Sequence, residues 1–284
     1  MGTGFRVKPG MTTYRVILYG TIDFMTTLSS LSFLIPAFND EATIEKVVHE
    51  AVAVGRRVAK KFEIVVINDG SQDMTGPRLV SLVKKFKELR VITHRTNQGY
   101  GRTIKELYYA GNHDWLFTIP GDYQVGAKEL ETILERFPEL NKSQFRESDK
   151  IPDMILGWRV KRNDPTNRLL SSWIYNTLLR LLFGVTLHDV NSVRLMRRSI
   201  LKNMTLTSYS AFVDAELVIR AKRLGFLVSE VPVVHRARSD DRPGGGNQWG
   251  TMWGTVREMI LFSINPKFEY RNPKRMLESL RSPA

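Results

Sequence analysis

The stretch Glu63-Ile-Val-Val-Ile67, continued by Asn68-Asp-Gly-Ser-Gln-Asp-Met-Thr75 and then by Arg78 to Leu89, decides how this chain folds. After Glu63 the first part is a continuous β-branched run, the mark of a strand buried on both faces. Asn68 to Pro77 is polar and turn-rich, and the segment beyond repeats Leu79, Leu82, Val83 and Phe86 at helical spacing. The same cycle occurs before it: Leu31 to Ile35 is an apolar run stopped by Pro36, and Glu41 to Phe62 carries Ile44, Val47, Val48, Ala51 and Val58 at helical spacing. It occurs again after it, with a strand over Val91 to Thr93, a helix over Thr103 to Ala110 and a strand over Trp115 to Ile119. Strand and helix alternating in this way predict an α/β fold, a parallel sheet covered by helices on both faces. Ligands of such sheets bind beyond the carboxyl ends of the strands, so chemistry is expected in the loops after Ile35, Ile67 and Ile119.

The second half has a different texture. Met154 to Leu156 and Leu227 to Val234 read as strands, Leu169 to Phe183 and Val213 to Leu224 as helices. Beyond Pro232 the chain turns basic and glycine-rich, and Trp249 to Ile264 then reads as an amphipathic helix. With 284 residues, 42% of them hydrophobic and 25% charged, the chain can bury a substantial core, which excludes wholesale disorder and collagen-like repeats. The 42 Lys and Arg exceed the 29 Asp and Glu by 13. They are spread along the chain and no nucleic-acid motif accompanies them, so the charge points to an anionic substrate or membrane surface. The absence of cysteine excludes disulfides, thiolate zinc sites, iron–sulfur clusters and a cysteine nucleophile, and fits a reducing compartment. No uninterrupted apolar run of about 18 residues predicts a spanning helix. The five histidines lack metal-ligand spacing, and Pro243 to Gly246 lacks the Gly-Lys-Ser/Thr ending of a phosphate loop.

Each of the three loops admits a structural and a chemical reading. In Ile35 to Glu41, Pro36 ends the strand and Asn39 or Asp40 can cap the next helix. In Asn68 to Thr75, a carboxylate at a strand end can accept the ring N–H of a nucleobase, although the same composition describes an Asx turn. In Pro120-Gly-Asp-Tyr-Gln124, Asp122 can hold a hard divalent cation whose shell is completed by substrate phosphates and water. Asp122 and Gln124 are spaced like strand neighbours, which predicts side chains on one side.

Taken in order, the three loops resemble those of the family 2 glycosyltransferases, which have the GT-A fold. Pro36, Phe38, Asn39 and Asp40 are similar to the family's Pro-x-Tyr-Asn-Glu, Asn68 to Thr75 to its Asp-Asp-Gly-Ser-x-Asp-x-Thr, and Asn97-Gln98-Gly99 to its Asn-x-Gly. Pro120 to Gln124 resembles the Asp-x-Asp-x-Gln metal motif, with Pro120 in place of its first Asp and Asn68 in place of the first Asp of the nucleobase loop. Within the family the nearest pattern is that of the polyprenyl-phosphate sugar transferases of the dolichol-phosphate mannosyltransferase type. Gly157-Trp158-Arg159 resembles their Gly-Ser-Arg, Arg168 to Ser172 their Arg-x-x-x-Ser, Asp189 to Ser192 part of their Asp-x-x-Ser-Gly-Phe, Phe212 and Glu216 their Phe-x-x-x-Glu, and Arg236 to Arg242 their final phosphate-contacting segment.

The resemblance implies an extension over residues 1–30, a glycosyltransferase domain over 31–242 with a nucleotide-sugar half (31–130) and an acceptor half (131–242), and a basic amphipathic tail over 243–284. It implies inverting transfer of a sugar from GDP-mannose or a UDP-hexose to a polyprenyl phosphate, with a hydroxyl acceptor of a polysaccharide or glycolipid, or an inactive nucleotide-sugar-binding protein, as the alternatives. Donor-binding residues are then Pro36, Phe38, Asp40, Asn68, Asp69, Gly121, Gln124, Arg168 and Arg242. Mg²⁺ or Mn²⁺ sits on Asp122 and Gln124, and the catalytic set is Asp122, Arg159, Asp189 and Arg236. A hydroxyl acceptor would need a general base, for which Asp189, Asp214 and Glu216 are the candidates. A lipid phosphate needs none, and its use places the protein in the cytoplasm, peripheral on the membrane. Trp249, Met252, Trp253, Val256, Met259, Ile260 and Leu261 then form a face that either lies on an anionic membrane or packs on the domain. A membrane subunit would be a further partner.

Overall fold

A computed structural model describes residues 27–137, 140, 151–160, 166–202, 204–236 and 249–264, with the backbone alone for 166–170 and 249–252. The first half runs β1 (Leu31–Ala37), α1 (Ile44–Val58), β2 (Phe62–Asn68), α2 (Thr75–Lys85), β3 (Leu89–Thr93), α3 (Tyr100–Ala110), β4 (Trp115–Thr118) and α4 (Glu129–Arg136). The second half runs β5 (Met154–Arg159), α5 (Thr166–Phe183), β6 (Arg194–Arg197), α6 (Ser199–Lys202), α7 (Phe212–Arg223), β7 (Val228–Val233) and α8 (Trp249–Ile264). The strands join in one sheet ordered β3-β2-β1-β4-β6-β5-β7. All pairings are parallel except those of β6, which is antiparallel to both β4 and β5.

Alternate residues of each central strand feed two cores. Phe33, Ile35, Ile64, Val66, Trp115 and Phe117 face α1, α2 and α4, whereas Leu34, Val65, Ile67 and Leu116 face α3, α5, α7 and α8. This is why β2 reads as an unbroken β-branched run: both faces are dry. Pro36 does not stop β1, which continues to Ala37 in register with Asn68 of β2. Leu34 O accepts Ile119 N–H (3.1 Å), so Leu34 and Pro36 turn toward β4, and that ladder ends at Leu34 and Thr118. Proline therefore falls just where no partner calls for its missing N–H.

Packing contacts continue on either side of residues 31–242. Leu28 is buried, bridges to Ala59 and exchanges backbone hydrogen bonds with Val58 and Lys60. At the other end α8 packs on α5 and α7, with Met259 and Phe262 buried and Phe262 against Phe183 and Phe212. The face expected along α8 is thus split: Met259 belongs to the core, whereas Trp253, Ile260 and Leu261 are exposed.

Candidate active site

Chain order reverses beside β1, which leads outward to β2 on one side and borders β4 on the other. The crevice beyond β1 and β4 is thus the switch point of the sheet, where such folds bind ligands. The two loops there interlock. Asn39 has φ 54°, and this left-handed turn points its N–H at Ser71 Oγ (2.9 Å) while its Oδ1 accepts Gln72 N–H (2.9 Å). The buried Asp40 carboxylate accepts Phe38 N–H (3.0 Å), and the Thr43 hydroxyl donates to Gly121 O (2.7 Å). A Cβ on Gly121 would stand 2.5 Å from Asp40 Oδ2 and 2.8 Å from Pro36 O, so only glycine lets the loops approach this closely. Pro36, Phe38, Asp40 and Gly121 are therefore brought together, with the Phe38 ring exposed.

The loop after β2 is built from its own polar side chains. Asn68 is buried and its Oδ1 accepts Ser71 N–H (3.2 Å), the Asx-turn alternative noted in the sequence. Asp69, also buried, accepts His94 Nδ1–H (2.7 Å) and Gln98 N–H (2.8 Å) on Oδ1 and Gly99 N–H (3.0 Å) on Oδ2. It thereby ties the Asn97-Gln98-Gly99 element to the loop, and its carboxylate is occupied by protein donors. Gly70, at φ 67°, fits under Thr96, where a Cβ would meet backbone carbon at 2.5 Å. His94 bridges Asp69 and Glu106 (3.0 Å); burial opposes its charged form, but hydrogen bonds to the two carboxylates outweigh it and raise the pKa above the ordinary 6.5.

After β4 the strand-neighbour expectation fails. Tyr123 has φ 60°, so residues 121–124 form a turn and the alternation of a strand does not apply to Asp122 and Gln124. Asp122 Oδ1 instead accepts Gln124 N–H (3.0 Å). The loop gathers two groups distant in sequence: Tyr123 donates its hydroxyl to Glu50 Oε2 of α1 (2.5 Å), and the Arg236 guanidinium lies over the Tyr123 ring, 4.5 Å from its centroid. Arg236 N–H also donates to Gln124 O (2.8 Å). Arg236 is thus placed against Tyr123 and Gln124. Tyr123 and Glu50 were not singled out in the sequence, and nothing in its pattern marks them.

Arg159, at the end of β5, makes a bidentate pair with Asp189, Nε to Oδ2 at 2.5 Å and Nη2 to Oδ1 at 2.9 Å. Beside it Trp158 stacks on His188 (4.3 Å between centroids), whose N–H donates to Glu230 Oε1 (2.8 Å). The other two general-base candidates are buried and engaged by protein groups. Asp214 has no exposed surface, pairs with the equally buried Arg194 (3.1 Å) and accepts the hydroxyls of Tyr100 (2.8 Å) and Tyr108 (2.5 Å). Glu216 is fully buried, accepts Thr207 N–H, Thr207 Oγ1–H and Ser208 N–H, and pairs with Arg220 (2.7 Å). The Arg168 side chain and the whole of Arg242 lie outside the described residues.

Residues 32–205 match the model of Glycosyl transferase family 2, and the chain belongs to that family. Its mixed sheet flanked by helices is the GT-A fold. Glucosyl-3-phosphoglycerate synthase from Mycobacterium tuberculosis, solved with Mn²⁺, UDP and glucosyl-3-phosphoglycerate, superposes with a TM-score of 0.60 at 21% identity, over 83% of this chain and 80% of that one. Among curated proteins, dodecaprenyl-phosphate galacturonate synthase of Rhizobium johnstonii is 28% identical over 77% of this chain and 62% of its own length. Polyprenol monophosphomannose synthase of Mycolicibacterium smegmatis is 28% identical over 72% of this chain and 77% of its own length. Glycosyltransferase AglD of Haloferax volcanii is 27% identical, and the aligned region covers 38% of its length. The chain thus spans under two thirds of several of the relatives it matches.

Proposed function

We propose that the protein transfers a sugar from a nucleoside diphosphate, GDP-mannose or a UDP-hexose, to a polyprenyl phosphate with inversion at the anomeric carbon. Two of the relatives are named for polyprenyl-phosphate products. The observation that carries the choice of acceptor is the state of the candidate bases: Asp189 is locked on Arg159, and Asp214 and Glu216 are buried and engaged by protein donors. An acceptor that arrives already anionic requires none of them.

In the step itself a phosphate oxygen of the lipid supplies the electron pair for the new bond to the anomeric carbon. The bond from that carbon to the diphosphate oxygen breaks, its pair leaves with the nucleoside diphosphate, and no proton is transferred. The reacting carbon has oxocarbenium character, so negative charge gathers on the leaving group. Arg236, held at the loop after β4, faces that charge with a fixed cation, and Asp189 orients the Arg159 guanidinium at the end of β5. The donor set there fits Mg²⁺ or Mn²⁺ bound jointly with the diphosphate: one carboxylate, Asp122, whose Oδ2 accepts no hydrogen bond among the described residues, and the neutral amide oxygen of Gln124. Such a cation would neutralise charge on the departing diphosphate. The test is a comparison of acceptors. With a donor that the protein binds, a polyprenyl phosphate is expected to be glycosylated and the matching polyprenol is not; equal turnover of both would reject the reading.

The same reading places the acceptor at a membrane surface. No helix among the described residues is long and apolar enough to span a bilayer. Yet α5 and α8 pack together and expose Trp173, Ile174, Leu181, Trp253, Leu261 and Ile264. Lys267, Arg271, Lys274 and Arg275 follow α8 in sequence, a basic complement to an anionic lipid surface. Flotation with anionic liposomes is expected for the protein and is expected to be lost in the Trp173→Ser/Trp253→Ser variant; equal flotation of the two would remove this face from the account.

A further inference from the structure

We propose that Tyr123 is a positioning residue, which fixes the Arg236 guanidinium on the loop that receives the donor diphosphate. Four features of the loop converge on this. Tyr123 sits in the left-handed region at φ 60°, which an aromatic residue rarely adopts and which the surroundings must therefore impose. Its hydroxyl is tethered to Glu50 Oε2, and the other oxygen of Glu50 is itself held by Lys128 N–H (3.0 Å), so the anchor belongs to the rigid helix α1. Its ring lies under the Arg236 guanidinium, and the Arg236 backbone is pinned to Gln124 O. Arg236 Nη1 is shielded from solvent and donates to no atom of the described residues, a donor left over after the clamp is made. Gly126 completes the arrangement: a Cβ there would stand 2.3 Å from Glu50 Oε1 and 2.5 Å from Arg236 Nη1, so the absence of a side chain is what lets both reach the loop.

The consequence bears on a metal loop with a single carboxylate. Asp122 is the only acid between Ile119 and Ala127, so part of the charge on the donor diphosphate falls to a protein cation, and the Tyr123 ring sets where that cation sits. This rests on the reading that the loop binds a nucleoside diphosphate. It predicts a metal-independent share of the affinity that depends on Tyr123 only through Arg236.

Calorimetric titration of UDP and GDP into the full-length protein in EDTA, and again with Mn²⁺, separates the possibilities. Tyr123→Phe keeps the ring but removes the tether, and is expected to weaken diphosphate binding in EDTA by about tenfold, the size of one lost hydrogen bond to a charged group. Gly126→Ala, whose new methyl would press first on Glu50 Oε1 and Arg236 Nη1, is expected to do the same while the protein stays folded. In an Arg236→Gln background Tyr123→Phe is expected to add nothing, a non-additivity that general loosening of the fold would not produce. Unchanged affinity in Tyr123→Phe, or an equal loss with and without Arg236, overturns the proposal alone. Failure of the unsubstituted protein to bind either nucleotide overturns the donor reading and this proposal with it.

Discussion

Replacing Asp214 by Asn separates a structural carboxylate from a catalytic one. Asp214 has no exposed surface and Arg194 opposite it retains 1%, with their closest approach at 3.1 Å. The Tyr108 hydroxyl, its pKa pushed well above 10 chiefly by burial, stays protonated and donates to the same carboxylate. Asn would keep an acceptor for that hydroxyl but leave the guanidinium without its counter-charge in a dry site. Breaking a buried pair from one side costs about 3–5 kcal/mol, and the retained hydrogen bonds put Asp214→Asn near the lower end, at about 3 kcal/mol. For a domain of this size that is a fall in melting temperature of roughly 6–12 °C. The assay is thermal unfolding followed by circular dichroism, with turnover measured well below both transitions. An unaltered melting temperature combined with abolished turnover would instead make Asp214 the base. Removing both charges together with the hydroxyls that Asp214 accepts, as Arg194→Met, Asp214→Leu, Tyr100→Phe and Tyr108→Phe, is expected to recover much of the lost stability.

Because the folded pKa of His94 lies above its unfolded value of 6.5, its contribution is complete below that pH and is lost as pH rises through the folded pKa. The protein is therefore expected to lose stability as pH rises above 6.5, and His94→Gln to remove that slope; identical pH profiles would contradict the bridge to Asp69 and Glu106. Gly121→Ala forces a methyl against Asp40 and the Pro36 carbonyl, and should cost about 1–3 kcal/mol of stability together with donor affinity, checked by melting and calorimetry. Phe262→Ala should cost about 3–5 kcal/mol if α8 is part of the core, and near nothing if it is a detachable tail.

The first half of the fold was legible because β1, β2 and β4 are apolar on both faces and α1 to α3 keep a clear helical period, so local pattern and tertiary burial agree. β6 escaped because a four-residue strand that begins with Arg194 and ends with Arg197 carries no strand signal; Arg194 is buried only because Asp214, twenty positions later, neutralises it. Pro36 looks like a stop in the sequence because its tolerance depends on where β4 ends, which no local rule contains. The loops of the candidate site stand out in the sequence by their glycines and acids, and Gly70, Gly121 and Asp40 stand at close approaches. What those side chains bind was less visible. Asp69 holds its neighbouring loop, Asp189 holds Arg159, and Tyr123 turns the loop after β4 out of the alternation that Asp122 and Gln124 suggested. Each of these depends on partners 25 or more positions away, beyond the reach of a spacing argument.

The measurement that bears most directly on the account is mass spectrometry of the lipid fraction after incubating the purified protein with Mn²⁺, a panel of UDP- and GDP-sugars and a short polyprenyl phosphate. The account predicts a glycosyl-phosphoryl-polyprenol that is absent when Asp122→Ala replaces the unsubstituted protein. Donor binding without any such product, or a product formed equally by Asp122→Ala, would contradict it.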